Sequence, residues 1–281
     1  MLFGRVKNAL AGAGWLIILF VSGYIQAADL RISGSSTIYP IIEQMSDGFQ
    51  KQTGKGVLLS GGGSGRGISD VRTGISDIGM VSRSLRPEEK ADLSYSTIGL
   101  DTLVFIVNKA NPQQNISKTQ LTDLYTERTD WQQINGFSWP VRLVSKEVGR
   151  STLDLFEAFS GLKSPDRTGA AGPLISRQAT VIGSNLESLT LVGGLHGGLG
   201  YVSFGTAVLL AKENMPIRIM QLDGVTPSAQ AIQSGTYPIK RELNLVYRER
   251  TPAIDALLSL LNTSRGQDII QQAGFIAAGN R

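Results

Sequence analysis

The stretch SGGGSGRGISD, Ser60 to Asp70, carries five glycines in seven residues and runs directly into a helix-like pattern. A phosphate-cradling P-loop needs Lys and then Ser or Thr after its last glycine, and Arg66-Gly67-Ile68 stands there instead. The dinucleotide pattern G-x-G-x-x-G fits no register of Gly61 to Gly67 either. What the segment does supply is bare backbone just ahead of a helix starting at Ser64, so main-chain N–H groups and the positive helix end can face one anion. A flexible turn between strand and helix is the simpler account of this segment taken alone.

Working outward, the same arrangement repeats. DLRIS before it reads as a strand, followed by Ile38, Ile41, Ile42, Met45 and Phe49 at helical spacing. VLLS and DIGMVS read as further strands, and Pro87 suits the first turn of another helix ahead of the extended, apolar YSTIGLDTLVFIVN. Strand, loop and helix in alternation imply a mostly parallel sheet with ligands at the carboxyl ends of its strands. Beyond Asn108, Ser117 can cap a helix over Lys118 to Tyr125. WPVRLVS reads as a strand, and GRSTLDLFEAFSG as a helix closed by Gly161. LGYVSFG, IRIMQL and ELNLVYRE are extended, PSAQAIQSG is a helix stopped by Gly235, and Thr251 to Gly274 gives two helices.

The N-terminus has Arg5 and Lys7, an apolar run from Ala9 to Val21, and Ala27-Ala28. This is the pattern of a secretory signal peptide over residues 1–27, its apolar part short for a membrane span, with an uncleaved anchor as the alternative. Taking Arg5 and Lys7 from 27 basic residues leaves 25 against 23 acidic ones, a mature charge of +2. So small a charge, without basic runs interleaved with aromatics, argues against nucleic acid as partner. The chain has no cysteine and one histidine, His196 in a glycine-rich loop. Thiol chemistry, Cys metal sites, lipid attachment at cysteine and Ser-His-Asp hydrolysis are therefore not expected.

Three segments share the design of the opening stretch: GSSTIYP (Gly34 to Pro40), GGGSGRG (Gly61 to Gly67) and VGRST (Val148 to Thr152). Each sets Gly and Ser/Thr after a strand and at a helix start, and each alone is accounted for as a helix cap. Spread over both halves of the chain, they nominate Ser36, Thr37, Ser64, Arg150, Ser151 and Thr152 as one anion-binding set. Asp77 is expected to order a strand end, and Tyr201, Phe204 and Tyr247 to pack in core or hinge. Arg66 is expected at a rim or on a solvated helix face. No acid–base pair is assigned.

GSSTIYPIIEQMSDGFQKQTG, GGGSGRGISDVRTGISDIGMVSRSL, GLGYVSFG and SGTYPIKREL resemble, in order and spacing, the phosphate-binding proteins of bacterial phosphate ABC transporters, over Asp29 to Gly274. The resemblance implies the α/β type II periplasmic-binding-protein fold, two lobes joined by two crossing segments. These are expected near Leu103 to Val107 and Leu243 to Tyr247, with a discontinuous first lobe of residues 28–105 and 245–281 and a second lobe of 106–244. It implies a periplasmic, non-catalytic receptor that captures inorganic phosphate and delivers it to a membrane ABC permease, without cofactor or metal, and as a monomer. Sulfate, molybdate or tungstate as ligand, a phosphate-ester hydrolase, and a secreted relative working in surface attachment are the alternatives. Ser36, Thr37 and Ser64 match the family's pattern. Ser82 stands where its best-known members have a carboxylate, followed by Arg83, for which a surface salt bridge is expected. In the second lobe Thr152 and Ser151 match, Lys146 replaces an arginine, and Arg150 replaces a serine. Alignment favours Lys146 as the cation on the ligand, and bidentate chemistry favours Arg150.

Overall fold

The computed structural model describes residues 29–278, so the expected signal peptide lies outside the described residues. The chain begins with β1 (Leu30–Gly34), α1 (Tyr39–Thr53), β2 (Val57–Ser60), α2 (Ser64–Thr73), β3 (Ile78–Val81), α3 (Pro87–Asp92) and β4 (Ser94–Asp101). It continues through β5 (Leu103–Asn108), β6 (Asn115–Ile116), α4 (Lys118–Tyr125), α5 (Trp131–Asn135), β7 (Arg142–Lys146) and α6 (Ser151–Ser160). Next come β8 (Thr180–Ile182), α7 (Asn185–Gly194), β9 (Gly198–Ser203), α8 (Phe204–Lys212), β10 (Ile217–Ile219), β11 (Gln221–Leu222) and α9 (Ala229–Ser234). It closes with β12 (Arg241–Tyr247), α10 (Pro252–Leu261), α11 (Ser264–Gln272) and β13 (Ile276–Ala277).

Two sheets organise these elements. The first has the order β13-β4-β12-β3-β1-β2, the second β10-β5-β9-β7-β8, and β11 pairs with β6 in a small ribbon. β1 runs parallel to β2 and β3, so the loops that follow these strands all emerge at one edge. Likewise β7 is parallel to β8 and β9. Each sheet has its own apolar core. Ile32, Ile41, Phe49, Met80, Leu245 and Leu257 fill the first, and Phe105, Tyr125, Trp131, Phe156, Leu199 and Tyr201 the second. Tyr201 stacks on Phe156 with ring centroids 4.3 Å apart, Phe204 packs partly buried against the same core, and Tyr247 is buried in the first core, so all three aromatic expectations agree with their surroundings.

YSTIGLDTLVFIVN is not one strand. It divides at Thr102 into β4 of the first sheet and β5 of the second, so Leu103 to Val107 lies wholly in the second sheet. The return falls ahead of Arg241, because β12 is complete within the first sheet and Leu243 to Tyr247 is part of it. Both changes of sheet thus come a few residues before the expected crossings. At this point Thr102 donates its hydroxyl to the carbonyl of Ile239, which ties the two crossing segments together, and its own carbonyl accepts the Phe204 N–H. IRIMQL also divides, into β10 and β11 of separate sheets.

The glycines of the opening stretch serve close packing as well as a turn. Gly63, at φ 89°, is the N-cap of α2, a conformation that favours glycine. One turn on, a Cβ at Gly67 would lie 3.0 Å from the carbonyl oxygens of both Ser33 and Met80, so α2 rests backbone-on-backbone against β1 and β3.

Candidate functional site

The loops after β1, β2 and β3 face those after β7 and β8 across the gap between the sheets, and the two lobes touch. Gly65 N–H donates to the Gly149 carbonyl at 3.1 Å, and the hydroxyls of Ser82 and Ser151 are 2.6 Å apart. Between them lies a small polar cavity walled by Ser35, Ser36, Thr37 and Gly63 from one lobe. Lys146, Arg150, Ser151, Thr152, Gly183, Ser184 and Asn185 wall it from the other. A larger hollow on the second lobe, between Leu124, Gln133, Arg142 and Thr180, receives none of these loops.

Of the residues nominated from sequence, Ser36, Thr37, Lys146, Arg150, Ser151 and Thr152 lie on this wall. Ser64 and Ser82 are fully buried and do not. Ser64 Oγ accepts the Ser82 N–H at 3.0 Å, and Ser82 Oγ receives the Ser35 hydroxyl at 2.7 Å, so both brace the wall. The start of α6, just after its extended N-cap Arg150, supplies Ser151 and Thr152 to the wall.

The two candidate cations occupy different depths. Lys146 is almost fully buried at the end of β7 and donates from Nζ to the Ser184 carbonyl at 2.5 Å. Burial pushes its ammonium down to about 7, opposed by the Glu187 carboxylate and assisted by Arg150 and Arg241. Arg150 is nearer the surface, with Nε and a terminal nitrogen on Glu147 Oε2 at 3.0 and 2.6 Å. Both cations therefore reach the cavity, Lys146 from below and Arg150 from its mouth.

Other candidates fall elsewhere. Asp77 accepts the Arg31 N–H at 2.9 Å beside β1, at a strand end as expected. Arg66 is exposed and pairs with Asp70 one turn on. Arg83 is not a surface residue: it is 7% exposed, binds Glu89 through two 2.7 Å hydrogen bonds, and reaches Asp154 of the other lobe at 3.5 Å. The chain turns it inward because Asn244 holds its carbonyl at 3.0 Å and Glu89, near the start of α3, waits beneath. These pairs raise the arginine's affinity for its proton and hold Glu89 below the usual carboxylate range, although burial opposes both shifts.

Sequence reasoning missed three residues at the site. Asn185 begins α7, whose start is legible in the capping box Ser184-x-x-Glu187. Arg241 and Asp101 lie behind the wall as a buried pair, joined from Nε to Oδ2 at 2.8 Å. The guanidinium also donates to Thr37 Oγ1 at 3.3 Å, and to Thr152 Oγ1 and the Ser82 carbonyl at 3.5 Å. Arg241 sits inside SGTYPIKREL, the segment that had offered a family resemblance but no site residue.

Comparison with known proteins agrees with this architecture. A family model described as a PBP superfamily domain matches residues 24–262. The chain belongs to that superfamily. A crystal structure from Clostridium perfringens, described as a phosphate ABC transporter substrate-binding protein with bound phosphate, superimposes with a TM-score of 0.79 at 26% identity. It covers 90% of this chain and all of the other. The phosphate-binding protein PstS of Borreliella burgdorferi is 24% identical over 252 residues, 88% of this chain and 89% of its own. PstS 2 of Streptococcus pneumoniae is 32% identical over 107 residues, and that match spans 37% of each chain. The PBP-superfamily chain thus has the two-lobe type II periplasmic-binding-protein fold, with two segments crossing between its lobes.

Proposed function

We propose that this chain is a non-catalytic, extracytoplasmic substrate-binding protein that closes its lobes over inorganic phosphate and presents it to a membrane ABC permease. The observation that carries the reading is the cavity wall. Hydroxyls of Ser36, Thr37, Ser151 and Thr152, the N-termini of α2, α6 and α7, and the cations Lys146 and Arg150 converge from both lobes on one small space. Such a wall meets a multiply charged tetrahedral anion with oriented donors and fixed dipoles, and needs no metal to balance the charge. The wall residues include neither histidine nor aspartate nor glutamate, which favours capture over acid–base chemistry. The relatives bearing phosphate in their names favour phosphate among tetrahedral anions.

Capture by hinge closure is tested on phosphate-stripped protein. Calorimetry is expected to show one phosphate per chain, and small-angle scattering a smaller radius of gyration on binding. No heat of binding would remove phosphate from the reading, and binding without compaction would remove the hinge.

A further inference from the structure

We infer that Asn185 and Arg241 lock the Thr37 hydroxyl as a hydrogen-bond donor toward the cavity, making this part of the site suited to acceptor-only anions such as sulfate as well as to phosphate. The inference rests on the anion-binding reading above and adds a specificity element to it.

A threonine hydroxyl has one proton to donate and two lone pairs to accept with. Thr37 Oγ1 receives Asn185 Nδ2 at 3.1 Å and Arg241 at 3.3 Å. Neither neighbour can reverse its role. A guanidinium has no acceptor. The Asn185 amide is oriented by its other end, where Oδ1 accepts the backbone N–H of Ser203 at 3.4 Å, and a backbone N–H can only donate. Both accepting positions of Thr37 are thereby filled, and its proton is left for the cavity that the side chain lines. Thr152 Oγ1 receives Arg241 in the same way from the other lobe.

Carboxylates beside the wall are already drawn on by protein donors, as Glu187 Oε2 is by the N–H groups of Gly183 and Ser184. Asp101 takes Arg241, the Ser203 hydroxyl at 2.7 Å and the Gly205 N–H at 3.3 Å. Glu147 Oε2 is held by two nitrogens of Arg150. An oxygen of the ligand that bears a proton gains nothing from Thr37, whereas a bare oxygen is satisfied by it, so this position does not favour phosphate over sulfate.

The test is competition at one mildly alkaline pH, where phosphate is chiefly a dianion with a single O–H and sulfate has none. With wild-type protein carrying labelled phosphate, sulfate at about a hundredfold excess is expected to displace at least half of the label. Thr37→Val is expected to weaken both anions alike, leaving their affinity ratio within about threefold of wild type. Asn185→Asp replaces the fixed donor by an acceptor, frees a lone pair of Thr37 for the ligand's O–H, and is expected to move the ratio toward phosphate by about tenfold or more. Failure of sulfate to displace label from the wild type, a Thr37→Val variant that loses phosphate but not sulfate, or an unchanged ratio in Asn185→Asp overturns the inference while leaving phosphate capture standing. Absence of phosphate binding by the wild type overturns both. Thermal melting of each variant separates these outcomes from failure to fold.

Discussion

Arg241 and Asp101 stand 140 residues apart in the chain and meet, side chains wholly shielded from solvent, where the chain changes sheets in both directions. Asp101 ends β4 just before Thr102, and Arg241 opens β12 just after the return. The pair therefore pins the two crossing segments at the level of the cavity floor, and the remaining guanidinium donors reach Thr37 in one lobe and Thr152 in the other.

Removing one partner of such a pair leaves a buried charge uncompensated. Arg241→Gln and Asp101→Asn are each expected to lower stability by about 3–5 kcal/mol. Asp101→Asn/Arg241→Gln, which removes both charges and keeps hydrogen-bonding atoms, is expected to recover part of that loss. Urea unfolding of the two single variants and the double variant gives the coupling directly, and strictly additive losses would refute it.

The Arg241–Asp101 pair also marks where the sequence stops being legible. Helices starting after Gly-Ser/Thr segments could be read because caps and glycine turns are local, and Ser36, Thr37, Ser151 and Thr152 came with them. Arg241 could not be found that way: in KREL it resembles any solvated strand residue, and only tertiary pairing across both crossings buries it. Asp101-Thr102 is a short polar step in an otherwise apolar stretch, without the Gly or Pro that marks a turn, so one extended segment was expected where two sheets share it. α7 was passed over because NLESLTLVGG has apolar residues on several faces, leaving the capping box as its sole clear sign. Ser64 fits the glycine-loop pattern, yet its hydroxyl faces Ser82 N and not the cavity, a choice made by side-chain direction that spacing does not specify.

That difference between Ser64 and Thr152 is measurable. Thr152→Ala is expected to weaken phosphate binding by about 1.5–3 kcal/mol, as for a hydrogen bond to a charged group, with little change in stability. Ser64→Ala leaves the buried Ser82 N–H without its acceptor and is expected to cost about 1–3 kcal/mol of stability, with the smaller effect on affinity. Calorimetric affinities set beside unfolding curves would show the reverse ordering if Ser64 were the ligand residue.

The contact of α2 with the sheet predicts a steric limit. Because a Cβ at Gly67 would meet two backbone oxygens at 3.0 Å, neither able to rotate away, Gly67→Ala is expected to lose about 1–3 kcal/mol despite alanine's better helix propensity. Gly48→Ala in α1, where nothing lies within 4 Å of the added carbon, is the matched control and is expected to be neutral or stabilising. Equal unfolding midpoints for the two would remove the packing role assigned to Gly67.

Lys146 is expected to couple phosphate capture to pH. In the folded protein burial holds its ammonium down at about 7, against 10.5 for an unburied lysine. Across that window the unfolded chain carries a proton that the folded chain has released, so stability from this group rises with pH between the two values and is lowest below the lower one. Lys146→Met is accordingly expected to be more stable than wild type in the absence of ligand at neutral pH and to lose that rise. A phosphate in the cavity reverses the preference, since an anion beside Nζ favours the charged form. Binding above neutrality must then draw in a proton, and affinity is expected to fall toward about tenfold per pH unit above about pH 8, where the ligand's own charge has nearly stopped changing. Glu187, whose carboxyl is held below the usual range by the N–H groups of Gly183 and Ser184 although burial opposes this, keeps its charge over this range. Calorimetry in two buffers of different ionisation enthalpy counts the proton directly, with uptake approaching one per phosphate in wild type and none in Lys146→Met. A pH-independent affinity with no buffer dependence would mean that Lys146 is neutral in the complex, and Arg150 would then be the cation that meets the anion.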